Sequence, residues 1–183
     1  RDSVASRGLG DVYKRQLYYN SRSHWNAKKP PLRRREAWSS DGGATWHNWR
    51  IVNILPDGPQ DTNYGCFAGL VRLPIEGRDI LLYSNCDSPS GRNRGTVWVS
   101  FDGAKTWPLK RMVWKGAFQY SSLSAGRPNT KSEGWIYMHF EGQLPRSHVA
   151  RFNLSWLMMG EPTGNGELPN ITLKQRSKTA EEK

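Results

Sequence analysis

The chain has 183 residues, with 9 Trp, 18 Gly, 11 Pro and a net charge of +11. It is long enough to bury a core as one domain, and it holds no run of about 18 apolar residues that would cross a membrane. Trp, Gly and Pro in this mixture suit short strands joined by tight turns, and an opening on Arg1 without a leader reads as a piece of a longer protein.

Residues 1–16 alternate poorly and end in Val12-Tyr13-Lys14-Arg15-Gln16, which looks like translated adaptor sequence; they are set aside from the fold. Strands are expected from there on, first at residues 17–22 and 35–38, then at 49–54 and 66–73. Further strands are expected at 80–85, 96–100, 112–114, 120–124, 135–140 and 149–157. Turn clusters separate them at Pro56-Asp57-Gly58-Pro59, Ser88-Pro89-Ser90-Gly91 and Pro162-Thr163-Gly164-Asn165-Gly166. No segment carries a sustained helical period of apolar residues. The domain division expected is 1–16 as an adaptor-like segment, 17–160 as the folded unit and 161–183 as a polar tail.

Two octapeptides organise this order. Ser39-Ser40-Asp41-Gly42-Gly43-Ala44-Thr45-Trp46 and Ser100-Phe101-Asp102-Gly103-Ala104-Lys105-Thr106-Trp107 lie 61 residues apart, each with strand-like sequence on both sides. Each reads as a hairpin turn. The Asp accepts backbone N–H groups further along, and Gly43 supplies a conformation that most residues avoid. Trp46 covers the turn with a ring whose N–H can reach a backbone carbonyl. Ala104 in place of Gly43 marks a slightly degraded second copy. The motif lacks the further acidic ligands of a calcium loop, so Ser39, Asp41, Gly43, Trp46, Ser100, Asp102 and Trp107 are structural. At roughly 40–60 residues per repeat the chain holds about three blades of a propeller, an all-β array too short to close a ring, so blade faces are left open.

The basic balance comes partly from Lys28-Lys29, Arg33-Arg34-Arg35 and the residues from Lys174 to Lys183. It reads as a solvated surface, or as a field that steers an anionic substrate. No helix-turn-helix, zinc-finger or RNA-recognition signature accompanies it, so no nucleic-acid partner is expected. Cys66 and Cys86 lack metal-ligand spacing and either pair or stay free, which leaves the compartment open. Asn170-Ile171-Thr172 fits a glycosylation acceptor.

Four further segments, in this order with the octapeptides, give the chain a family resemblance. They are Asn20-Ser21-Arg22-Ser23, the surroundings of Gly91-Arg92, Phe118-Gln119-Tyr120-Ser121-Ser122-Leu123, and Tyr137-Met138-His139-Phe140-Glu141. Together they resemble the sialidases (neuraminidases) of the Asp-box, or BNR-repeat, β-propeller type, over residues 17–159. The resemblance implies an incomplete six-bladed propeller in its C-terminal part. It also implies a protein that releases terminal sialic acids from glycoconjugates through a Tyr nucleophile, with retention of configuration.

The chemistry suits those residue types. Sialic acid bears a carboxylate on its anomeric carbon, which arginines clamp with bidentate hydrogen bonds. A neutral phenol meets less repulsion from that carboxylate than a carboxylate nucleophile would, and it needs a nearby base. By resemblance Tyr120 is the nucleophile, Arg22 and Arg92 are two members of the carboxylate-binding triad, and Glu141 orients the third. Arg94 competes with Arg92 for the inward position. The bland readings are a core aromatic for Tyr120, surface cations for the arginines and a turn cap for Glu141.

The family's first triad Arg and its Asp acid/base lie in an N-terminal half, and its activating Glu lies just upstream of the position of Arg22, where no Glu occurs here. The segment by itself is therefore expected to be inactive. No cofactor or metal is implied, and sialylated glycans are the implied partners. A secreted or periplasmic location follows by resemblance if the source is bacterial. His24 and His139 read as ordinary hydrogen-bonded residues, Arg127 as a pocket-rim candidate, and Asp61 and Asn63 as loop residues that can touch substrate. A non-catalytic glycan-binding propeller and a structural or interaction propeller are the alternatives.

Overall fold

A computed structural model describes residues 16–22, 31–62, 65–143 and 145–170. Eleven strands are found: β1 (Leu17–Ser21), β2 (Arg33–Ser39), β3 (His47–Pro56), β4 (Gly69–Arg72), β5 (Leu81–Cys86), β6 (Asn93–Ser100), β7 (Leu109–Ala117), β8 (Ser121–Ala125), β9 (Trp135–Glu141), β10 (Ser147–Asn153) and β11 (Glu161–Pro162). They form three antiparallel sheets, ordered β1-β2-β3, β4-β5-β6-β7-β11 and β8-β9-β10. Each expected strand is present with shifted ends.

The segment expected as a strand over 149–157 divides. Its end is a short helix, α1 (Leu154–Leu157), because the Asn153 side chain accepts the backbone N–H of Trp156 at 2.8 Å and caps a turn. Glu161 and Pro162, the start of the segment read as a polar tail, pair with Lys110 and Leu109, and Asn165 Oδ1 accepts the backbone N–H of Trp107 at 2.6 Å. The expectations for residues 1–15, for Lys28-Lys29, Ser23, His24 and Asn63, and for the end of the glycosylation triplet lie outside the described residues.

The middle sheet is sandwiched. Every residue of β5 is buried, and so is β6 from Gly95 to Ser100. Alternation is lost there because both faces are covered, which explains the nearly continuous run Leu81-Leu82-Tyr83. One face packs on the first sheet through Trp38, Val52, Leu55, Tyr83, Trp98 and Trp107. The other packs on the third sheet through Leu82, Val97, Val99, Phe118, Met138 and Phe140. Three sheets stacked face to face in chain order are three blades of a partial β-propeller.

The two octapeptide turns are built alike. Ser39 Oγ accepts Gly43 N at 2.8 Å, and Asp41 accepts Thr45 N and Thr45 Oγ1 at 2.9 and 2.6 Å. In the second copy Ser100 Oγ accepts Ala104 N at 2.8 Å, and Asp102 accepts Thr106 N and Oγ1 at 2.9 and 2.6 Å. Ala104 keeps these bonds while held at φ +73°, a left-handed conformation that costs an L-residue about 1–2 kcal/mol.

The two indoles differ. Trp107 is buried and its N–H has no hydrogen-bond partner among the described residues, whereas Trp46 is 37% exposed. The N–H that reaches the second turn belongs to Trp38 of the first sheet, which donates to the Gly103 carbonyl at 3.3 Å. That bond crosses between blades, so it is not visible within one octapeptide.

Candidate active site

Tyr120 lies between β7 and β8, at the end of the third sheet where β9 finishes in Glu141. The segment is pinned by its backbone. Phe118 N donates to Arg92 O at 2.9 Å, Gln119 N to Glu141 O at 2.9 Å, and Glu141 N to Tyr120 O at 3.0 Å. Beneath it the Phe118 ring fills the space over Gly95, where a Cβ would come within 2.0 Å of the ring. Only glycine permits that approach. The Tyr120 ring is 38% exposed, meets Phe67 edge-on at 6.1 Å, and has the Arg92 guanidinium carbon 5.2 Å from its centroid.

Arg92 is delivered by the turn between β5 and β6. Gly91 takes φ +67°, and its N–H donates to the Asp61 carboxylate, which also accepts the Ser90 hydroxyl at 2.8 Å. These bonds hold the Asp61 carboxyl below the usual carboxylate range, first through the Gly91 N–H and then through Ser90. The Arg92 side chain turns toward the third sheet and donates from Nη1 to Gln119 Oε1 at 3.1 Å. Arg94, at φ +59° beside a bulge in the β6–β7 pairing, is exposed. Of the two arginines, Arg92 is the one beside Tyr120.

Arg22 follows the last residue of β1 and is half-buried. No hydrogen bond or ion pair links it to Arg92, Tyr120 or Glu141. Its strand end is tied to them through a buried relay. Arg34 holds Asn20 Oδ1 at 2.7 Å, Asp57 Oδ1 at 2.8 Å and the Cys66 carbonyl at 3.3 Å. Cys66 Sγ in turn contacts the Gln119 carbonyl at 3.3 Å. Cys66 and Cys86 are both free and buried. Each thiol donates elsewhere, Cys66 to the Gln119 carbonyl and Cys86 to Asn85 Oδ1 at 3.5 Å, and the neighbouring Cys66 thiol together with burial pushes the Cys86 thiol well above its ordinary range.

Three residues that motif reading did not single out shape this end of the sheets. Arg34 forms the relay, Phe67 walls the phenol, and Gln119 joins Arg92 to the β9 end. Gln119 stood inside a quoted motif, but its side-chain contacts depend on chain 23 or more residues away. Asp61 does not act as a bare loop residue, because its carboxylate clamps the turn that carries Arg92. His139 and Arg127 are exposed on the third sheet and on the turn after β8. An apolar cavity of about 390 Å³, lined by Leu73, Ile75, Trp135 and Leu154 among others, sits at the opposite end of the third sheet from Tyr120. Among the described residues no His, Cys, Asp or Glu group is arranged to hold a metal ion, and no helix is long and apolar enough to cross a membrane.

No family model matches the chain. A sialidase of Micromonospora viridifaciens is 33% identical over 132 residues, covering 68% of this chain and 18% of that protein. The chain thus spans under a fifth of that relative's length. Among solved structures, the intramolecular trans-sialidase of Ruminococcus gnavus, in complex with oseltamivir carboxylate, superposes with a TM-score of 0.57 at 20% identity, over 78% of this chain and 31% of that one. The NanB sialidase of Streptococcus pneumoniae superposes with a TM-score of 0.57 at 20% identity, over 78% and 22%. These superpositions agree with the three-blade architecture. Sequence identity, the paired Asp-box turns and the fold converge, and the chain belongs to the sialidase (neuraminidase) family.

Proposed function

We propose that the protein containing this chain is an exo-α-sialidase that hydrolyses terminal sialic acids of glycoconjugates with retention of configuration. The observation that carries this reading is the exposed Tyr120 phenol beside the Arg92 guanidinium, on a segment pinned by the Glu141 strand end. In this reading Arg92 and Arg22 bind the substrate carboxylate by charge-assisted hydrogen bonds. The Tyr120 oxygen forms a bond to the anomeric carbon as the glycosidic bond breaks, its proton passing to a base and the leaving oxygen taking a proton from an acid. Water then displaces Tyr120, and two inversions give net retention. Glu141 orients the third arginine. That arginine, the base and the acid are assigned by family resemblance to sequence ahead of Leu17, so the 183 residues alone are expected to lack turnover.

The test is release of a fluorophore from a sialoside by the protein that contains this segment. Tyr120→Phe should abolish steady turnover, and a fluorinated sialosyl fluoride should leave a sugar adduct on the peptide holding Tyr120. Full activity in Tyr120→Phe, or an adduct on another peptide, would overturn the assignment.

A further inference from the structure

We propose that Gln119 is a positioning residue for Arg92, holding the guanidinium with a neutral acceptor so that its charge stays available to an anionic substrate; this rests on the sialidase reading above. The Gln119 amide is held at both ends. Its Oε1 accepts Arg92 Nη1 at 3.1 Å, and its Nε2 donates to the Gly142 carbonyl at 3.3 Å. The second bond sets which way the amide faces, because only the nitrogen can donate to a carbonyl.

The backbone of Gln119 is equally fixed, by Glu141 O on one side and Cys66 Sγ on the other. The acceptor therefore sits at the tip of a rigid segment. Gln119 occupies one nitrogen of the fork, and the Nε and Nη2 groups remain as a parallel pair, the geometry that receives a carboxylate in bidentate fashion.

The choice of an amide matters. A carboxylate at position 119 would hold Arg92 more tightly but would cancel the charge that attracts the substrate. A protonated carboxyl reproduces the amide, with its carbonyl oxygen toward Arg92 and its O–H toward Gly142. Gln119→Glu therefore converts a pH-independent support into one that works only when protonated.

Two measurements test this. In nitrogen-edited NMR of the chain, the Arg92 guanidinium should rotate slowly about its Nε–Cζ bond, and Gln119→Ala should release it while the thermal midpoint holds. In the protein containing the segment, Gln119→Ala should raise KM for a sialoside roughly tenfold, the scale of one hydrogen bond to a charged group, with kcat much less affected. Gln119→Glu should raise KM further at neutral pH and recover as pH falls through the carboxylate range.

Unchanged Arg92 dynamics in Gln119→Ala would overturn the proposal, as would a Gln119→Glu pH profile parallel to that of the parent. A held Arg92 in a protein that cleaves no sialoside would support the positioning role and remove the sialidase reading instead.

Discussion

Tyr19 occupies in the first sheet the register position that Tyr83 occupies in the second. Leu17 pairs with Ser39 as Leu81 pairs with Ser100, which places Tyr19 opposite Ala37 and Tyr83 opposite Trp98. Yet Tyr83 is fully buried while Tyr19 is 40% exposed, and their octapeptide partners Trp107 and Trp46 differ in the same way. Tyr83 and Trp107 are covered by Tyr18 and Trp38 of the preceding blade. Nothing among the described residues covers Tyr19, Trp46 and Trp49, which meet edge-on at 5.6 Å.

This uncovered aromatic face predicts that the 183-residue chain self-associates and binds an apolar dye. Replacing Tyr19 and Trp49 together with Lys should reduce both, measured by light scattering and dye fluorescence. A monodisperse monomer with a cooperative thermal transition and no dye binding would count against the prediction.

Gly95→Ala should damage both stability and the candidate site. The added methyl would fall inside the Phe118 ring, at 2.0 Å from Cδ2 and 2.3 Å from Cε2, and the ring is fully buried. Overpacking of this kind costs about 1–3 kcal/mol and pushes on the segment that presents Tyr120. A second change, Phe118→Leu, should recover part of the denaturant midpoint lost by Gly95→Ala. Additive effects of the two changes would show that the ring is not what the methyl meets.

The Arg34–Asp57 pair is buried, with side chains 7% and 0% exposed at 2.8 Å. Arg34→Met breaks this buried pair together with the Arg34 bonds to Asn20 and the Cys66 carbonyl, and should lower stability by about 3–5 kcal/mol, read from urea unfolding. The double change Arg34→Met, Asp57→Asn should be milder than the single one. If the single change is harmless, the relay from β1 to Cys66 does not support the fold.

Asp41 holds its turn as the anion. The Thr45 hydroxyl and N–H, followed by the Ser39 hydroxyl, keep its carboxyl far below the usual range. A carboxyl depressed by folding stabilises above the ordinary Asp value near 3.9, and this contribution is lost as pH falls through the folded-state value. The stability difference between the parent chain and Asp41→Ala should therefore shrink progressively on acidification, measured by denaturant titration at several pH values. A difference that is constant into strong acid would mean that the ionised carboxylate is not what holds the turn.

Within an octapeptide the hydrogen-bonded partners lie four or fewer residues apart, so hydrogen-bonding capacity and backbone preference determine the turn before any packing occurs. That is why the two hairpins, the strands beside them and the all-β class were readable from residues alone. The inward choice of Arg92 over Arg94 was not, since it turns on a bulge in the pairing of β6 with β7 and on an amide acceptor 27 residues away. The different fates of Trp46 and Trp107, which end equivalent octapeptides, were decided by whether another sheet lies over them. Contacts between distant segments depend on how whole sheets stack, and no local pattern encodes that.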